Sequence, residues 1–513
     1  MRPQCTGMQV PGLQTALNSG LEQKLEFPQI AYMHGDRWVW KSYAHTNIIL
    51  SVQDSGNNRA IARSKNDITM KDILISGGLV VNEGQKTYLD LLLRNGRIEK
   101  IGPNISPTTS CEVINAENKL VLPGLIDDQV HFREPGLTHK ACIQTESRAA
   151  VAGGVTTYFE MPNVSPPTLN MERIEEKCAI AKNSSAANFS FFLGASNENL
   201  EDVKSADPTK IAGVKVFMGS STGNMLVDEE KVLEGIFKNS PTIIATHCED
   251  TPTILANEEL ARKEFGEDIP FSEHGNIRSR EACLKSSSMA VELAKQENAK
   301  LHVLHITTKE ELNLFEAGHD RITAEACVHH LWFEELSYST LGSLIKCNPS
   351  IKKASDRDAI RKAVADGRIS ILATDHAPHT WDEKQGTYFN APSGLPLIQH
   401  TLLLMLEMCE QKCFTIETIV ERSCHAPAKL FQIMDRGFLR EGYWADIVIV
   451  DPSQNTSVKN SELFSKCQWS PFPHMTFTNS IDTTIVSGEI AYQNGKINST
   501  CRGERVEFSG QRR

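Results

Sequence analysis

No apolar run in this chain reaches the roughly 20 residues that a membrane-spanning helix requires, and the N-terminus lacks the basic and apolar regions of a secretory signal. Paired cysteine motifs are missing as well. Thirteen cysteines are scattered singly, with no CxxC pair and an odd total, a pattern that suits free thiols in a reducing cytosol and not a disulfide framework. Positive charge is in deficit: a net charge of −11 and a pI near 5.9 argue against a general nucleic-acid binder. Any anionic substrate must then be held by cations placed locally, because the overall field repels it. Internal repeats and low-complexity tracts are absent too. What these absences leave is a cytoplasmic globular protein acting on a small molecule, with no membrane or nucleic-acid partner.

At 513 residues, with 40% hydrophobic and 23% charged side chains, the expectation is two domains plus extensions. Residues 1–69 are polar and irregular, an N-terminal extension with one strand-like patch from Trp38 to Val52 and no motif. From 70 to 121 short apolar runs alternate with turn dipeptides such as Asn95-Gly96, which reads as all-β. The same texture returns over 431–500, in Gly442–Asp451 and Thr483–Gly495, before a tail at 501–513. Two β segments bracketing a long middle predict one small β-sandwich built from both flanks. The middle, 122–430, alternates apolar strands with helical stretches such as Glu281–Gln296 and Asp356–Ala365. Eight strand candidates over that length predict an α/β architecture, a (β/α)8 TIM barrel, whose chemistry sits at the C-terminal ends of its strands.

The most informative stretch runs from Val121 to Gly136, where an apolar strand leads into Gln129, His131 and Arg133. Alternation along a strand gives these three one face. Later strand ends offer Lys215, His247, His305 and Asp375 in that order. Lys215 lies inside the apolar run Val214-Lys-Val-Phe217, where an unpaired ammonium is costly, so the amine is neutral, paired or chemically modified. Carboxylation by CO₂ turns such an amine into a carbamate whose two oxygens can bridge cations. Neutral imidazoles suit zinc, and three protein ligands plus a solvent position is the pattern of a catalytic zinc site. Asp375, in Leu372-Ala-Thr-Asp-His-Ala-Pro-His379, can contact metal and water together. A single strand-end histidine is an ordinary core residue; five such groups at successive strand ends are not.

This pattern resembles the cyclic-amidohydrolase branch of the amidohydrolase superfamily, most specifically type I dihydroorotases, from about Met70 to Lys496. The resemblance implies a zinc centre held by His131, a CO₂-derived carbamate on Lys215, His247, His305 and Asp375, with Asp375 also the catalytic proton carrier. The chain departs from that pattern at Gln129, which stands where the family has the first histidine of an H-x-H pair. An amide oxygen is a weaker zinc ligand than imidazole, so one zinc is expected to be well occupied and the second position weakened or vacant.

Arg133, Asn163 and His379 are implied to bind a substrate carboxylate, for which a guanidinium offers bidentate geometry. Asn348, with the segment Ala391-Pro-Ser-Gly-Leu-Pro396, is implied to contact the ring. Allantoinase-like relatives carry an acidic residue where Arg133 stands, and dihydropyrimidinase-like relatives lack the Arg-Glu-Pro-Gly run. The expected activity is reversible cyclisation of N-carbamoyl-L-aspartate to L-dihydroorotate in pyrimidine synthesis. A hydantoinase, dihydropyrimidinase or allantoinase activity is the alternative, and Gln129 leaves open a catalytically inactive scaffold. Pairing as a homodimer is compatible with the sequence.

Overall fold

Eight apolar runs form the staves of a parallel barrel: β1 (Leu125–Val130), β2 (Val155–Glu160), β3 (Asn188–Phe191, resumed at Leu193–Gly194), β4 (Val214–Phe217), β5 (Ile244–His247), β6 (Leu301–Val303), β7 (Ile322–Cys327) and β8 (Ile371–Ala373). The computed structural model describes residues 71–107, 110–219 and 225–510, with the backbone of three further strands between residues 29 and 52. Every residue of β2 and β5 is buried. Helices cover one face of these strands and the barrel interior the other, so even their polar residues, Thr156, Thr157, Glu160, Thr246 and His247, are buried. Neighbours pair in parallel around the barrel. The break at Phe192 lets the first half of β3 pair with β2 and Leu193–Gly194 pair with β4.

Closure joins β8 to β1. The His131 amide donates to the His376 carbonyl at 2.8 Å, while Thr374 donates its amide and hydroxyl to the Asp127 carboxylate at 3.1 and 2.6 Å. Two of the barrel's helices match the sequence expectations with ordinary start and stop signals. Helix α1 (Arg280–Gln296) begins at Ser279, whose side chain accepts from the Ala282 amide. Helix α2 (Ala354–Asp366) ends at Gly367 with φ of 94°, the left-handed stop that only glycine adopts without cost.

The flanking segments share one nine-stranded sheet, the basis of the small β-sandwich. Ile447–Asp451 pairs antiparallel with Leu120–Pro123, which pairs in parallel with Ile73–Asn82. Ile75, Val121, Ile447, Ile449 and Ile485 pack in its core. Gly124 then connects this sheet directly to β1, so the sandwich fixes where the strand leading to Gln129 and His131 begins. A Cβ at Gly124 would sit 2.2 Å from the Thr156 side chain, so only glycine permits that close approach. Residues 501–508, set apart in the sequence as tail, are docked: the Phe189 amide donates to the Glu504 carbonyl at 3.0 Å, and Phe508 packs edge-on against Phe159.

The chain divides into two compact units, Met1–Thr69 and Met70–Arg513. In the first, Gln29–His34, Arg37–Ala44 and Asn47–Val52 form an antiparallel sheet in that order. The patch from Trp38 to Val52 spans two of these strands, and its side chains lie outside the described residues. Among the described residues every cysteine is free, and no helix is long and apolar enough to cross a membrane.

Candidate active site and metal centre

At the C-terminal mouth of the barrel, Gln129, His131, Arg133, Lys215, His247, His305, Asn348 and Asp375 line one cavity with Ser393 and Gly394. Its enclosed part measures about 30 Å³, room on the scale of an ion or a water molecule. Asn163 and His379 stand behind this lining and touch it through other side chains. Three of the residues that turn in at strand ends have positive φ: Arg133 at 67°, His305 at 41° and Asp375 at 50°. That conformation costs a non-glycine residue on the order of 1–2 kcal/mol. The chain accepts it three times at one rim, where the side chain is what the position requires.

At His131 a ring nitrogen faces a carboxylate in a way hydrogen bonding alone does not explain. Asn163 Oδ1 lies 2.8 Å from His131 Nδ1, so Nδ1 carries the proton and Nε2 presents a lone pair to the cavity. That Nε2 is 3.1 Å from Asp375 Oδ1, another acceptor. Across the cavity His247 Nε2 is 3.1 Å from the Glu249 carboxylate, which leaves His247 Nδ1 as the lone-pair nitrogen, 3.0 Å from His305 Nε2. Burial holds the His131 imidazole below its usual range despite Asp375. It does the same for His247, and pushes His305 well below with help from His247. A neutral imidazole whose other nitrogen is committed to an oxygen, as His131 Nδ1 is to Asn163, is the form in which histidine binds metal. The donor set therefore fits a divalent cation held between these side chains.

Lys215 is buried in β4, with its Nζ 4.7 Å from the centre of the Phe217 ring. Burial pushes its amine down to about 8, with Asp375 and Glu325 opposing. The lowered value leaves part of the amine neutral, and therefore nucleophilic, near neutral pH. Gln129 lines the same cavity, its Oε1 facing the Cys327 thiol at 3.8 Å.

Arg133 is 3% exposed. Its Nε donates to the Pro378 carbonyl at 3.1 Å, and burial lowers the guanidinium to about 10. Among the described residues no carboxylate lies within ion-pair distance of it. His379 is already engaged at both nitrogens. Lys140 Nζ lies 3.0 Å from Nδ1, and Nε2 is 3.0 Å from the Ser393 carbonyl. Burial and the two nearby cations push this ring well below its usual range. Arg133 Nη2 lies 3.1 Å from the same Nε2, so His379 is held between Arg133, Lys140 and the loop, and Arg133 alone of the expected trio lines the cavity. Asn348 Oδ1 is buried with no hydrogen-bond donor, an acceptor waiting for one.

Glu249 escaped the sequence reading. It lies two residues beyond His247 and is wholly buried, and Arg278 pairs with it. Burial raises its carboxyl, but Arg278 and His247 outweigh that and bring it down to about 2. The i, i+2 spacing after a strand-end histidine was the available signal. Glu249→Gln keeps an oxygen for His247 Nε2 but removes the charge, so zinc affinity should fall about tenfold, the low end for loss of a ligand-orienting partner. A chelator-competition titration reads this, and unchanged affinity rejects the orienting role.

Residues 120–491 match the Amidohydrolase family. A dihydroorotase of Methanosarcina acetivorans is 30% identical over 458 residues, covering 86% of this chain and 97% of that protein. An allantoinase of Bacillus velezensis is 30% identical over 434 residues, covering 83% and 94%. Among solved structures, the L-hydantoinase of Arthrobacter aurescens superposes with a TM-score of 0.81 at 24% identity, over 85% of this chain and all of that one. Barrel, sandwich, ligand-bearing strand ends and these likenesses agree: the chain belongs to the amidohydrolase family, among the metal-dependent cyclic amidohydrolases of the dihydroorotase and hydantoinase branch.

Proposed function

We propose that this protein is a dihydroorotase, interconverting N-carbamoyl-L-aspartate and L-dihydroorotate. The observation that carries this reading is Arg133, a buried guanidinium at the cavity wall that touches the Pro378 carbonyl and His379 but, among the described residues, has no carboxylate within ion-pair distance. Leaving such a charge unpaired costs several kcal/mol, a cost that a substrate carboxylate removes on binding. Hydantoin, dihydrouracil and allantoin rings bring no such group. Relatives of similar identity bear different names, so the charge at this position and not overall likeness decides the substrate.

His131, a carbamate on Lys215, His247, His305 and Asp375 would hold zinc, which when bound polarises a carbonyl oxygen and lowers the pKa of water to about 7. One zinc is expected to be held tightly, and Gln129, an amide where an imidazole would bind better, weakens a second position. In the hydrolytic direction Asp375 takes a proton from the water that attacks the ring amide carbonyl. It then returns that proton to the departing ring nitrogen. Arg133 anchors the exocyclic carboxylate and so fixes which face of the ring meets the water. Asn348 Oδ1 accepts from a ring N–H.

The test is a spectrophotometric assay across dihydroorotate, hydantoin, dihydrouracil and allantoin. Dihydroorotate alone should turn over. Arg133→Met should lower kcat/KM for it by about 10²–10³-fold, the range for losing one partner of a buried charge pair, mostly through KM. Turnover of allantoin or hydantoin without dihydroorotate sinks the proposal.

A further inference from the structure

Beneath the catalytic cavity, one level of the barrel interior is polar where such barrels are usually filled by Val, Ile and Leu. Asp128 on β1, His302 on β6 and Glu325 on β7 meet there, each with no exposed surface. Their ligand-type atoms lie within 4.8 Å of one another. His302 Nε2 is 3.4 Å from Asp128 Oδ2 and 3.8 Å from Glu325 Oε2. Among the described residues, both Asp128 oxygens, His302 Nε2 and Glu325 Oε2 have no hydrogen-bond partner. Three wholly buried polar side chains converge there with only ion-pair contacts longer than hydrogen bonds between them, an arrangement with a large desolvation cost.

The rest of each side chain is already committed. Thr323 Oγ1 donates to the Leu301 carbonyl at 3.3 Å, so it accepts from His302 Nδ1 at 2.7 Å. That bond fixes the tautomer and aims the Nε2 lone pair at the carboxylates. Glu325 Oε1 accepts from the His305 amide at 3.1 Å and from the Cys327 thiol at 3.3 Å, leaving Oε2 for the cluster. Phe431 closes the space edge-on to His302 at 6.1 Å.

We propose that Asp128, His302 and Glu325 form an enclosed binding site for a divalent transition ion of the zinc class, separate from the catalytic centre. Ligands about 2.0–2.2 Å from a tetrahedral ion stand about 3.3–3.6 Å apart, close to the spacing seen and long for direct hydrogen bonds. One imidazole and two carboxylates are a mixed set that such ions accept. Two carboxylates and a neutral imidazole match the charge of a dication. The neighbouring group Cys327, His329 and His330 suits an ion less, because His330 Nε2 already faces the Pro349 carbonyl at 3.0 Å and the thiol is engaged by Glu325. Through Glu325 Oε1 the buried ion would brace the His305 backbone from below. The competing state is an imidazolium, since the two carboxylates, against burial, raise His302 to about 9.

Crystals of the full chain grown with zinc, measured above and below the zinc edge, separate the two. An anomalous peak between the three side chains, about 2.0–2.3 Å from each, is expected. Zinc at His247 and His305 with no peak here, and His302 hydrogen-bonded to Asp128, overturns the proposal. In solution, zinc-reconstituted His302→Asn should hold one equivalent less than the wild-type chain by elemental analysis, with the circular dichroism spectrum unchanged. Equal counts overturn it. If His302→Asn does not fold, Glu325→Gln, which keeps an oxygen for the His305 amide, takes its place with the same expected loss of one equivalent.

Discussion

Asp375→Asn should lower kcat by about 10³–10⁴-fold while the protein keeps its zinc, because it removes proton transfer without emptying the cage. General acid–base catalysis by one positioned group is worth about 10²–10⁴-fold, and here the same carboxylate serves both half-steps. The amide is isosteric and its oxygen can still face His131 Nε2, now 3.1 Å from Asp375 Oδ1, so geometry is retained. What is lost is a base: an amide cannot accept the water proton and hand it to the ring nitrogen. Positive φ at this residue makes asparagine the safest replacement, since Asn tolerates the left-handed region better than most side chains. Zinc content from elemental analysis and kcat from dihydroorotate hydrolysis decide the matter together. Turnover within tenfold of the wild type, with zinc in place, would show that another group carries the proton.

Much of this was legible because the barrel's grammar is local. A strand buried on both faces is largely apolar, so a chemistry-bearing residue inside it or just beyond its end stands out, and that is how His131, Lys215, His247, His305 and Asp375 declared themselves. Docking of residues 501–508 was not legible, since it depends on backbone pairing with Phe189 across the whole chain. Nor was the commitment of His379 to Lys140 and Ser393, because loops place their carbonyls by tertiary contacts that periodicity does not encode. Asp128 and His302 sat in plain view beside residues the sequence offered as candidate ligands. They read as strand filler because the sequence gives no sign that positions on β1, β6 and β7 meet across the barrel. Glu249 was hidden for a related reason: a carboxylate after a strand end is common, and only its burial beside Arg278 marks it as a partner of His247.

Lys215 is where sequence, geometry and chemistry make their sharpest joint demand. Replacing it with arginine keeps a cation in β4 and replacing it with alanine empties the position, yet both should lower kcat/KM by at least about 10³-fold. Loss of several kcal/mol of charge stabilisation from a depleted metal site corresponds to that factor. If the ammonium itself mattered, arginine would preserve much of the activity; if a carbamate matters, arginine fails as completely as alanine. The pH dependence of reconstitution gives an independent reading. The folded amine sits near 8, below the ordinary lysine value, so the neutral form that reacts with CO₂ grows as pH rises through 8 and is scarce at pH 6. Metal-free protein should therefore regain activity faster with zinc and bicarbonate at pH 8.5 than at pH 6, and regain little when CO₂ is excluded. Full recovery in CO₂-free buffer, or an active Lys215→Arg protein, would leave the amine as a structural cation and require the cage to be redrawn from its imidazoles and Asp375 alone.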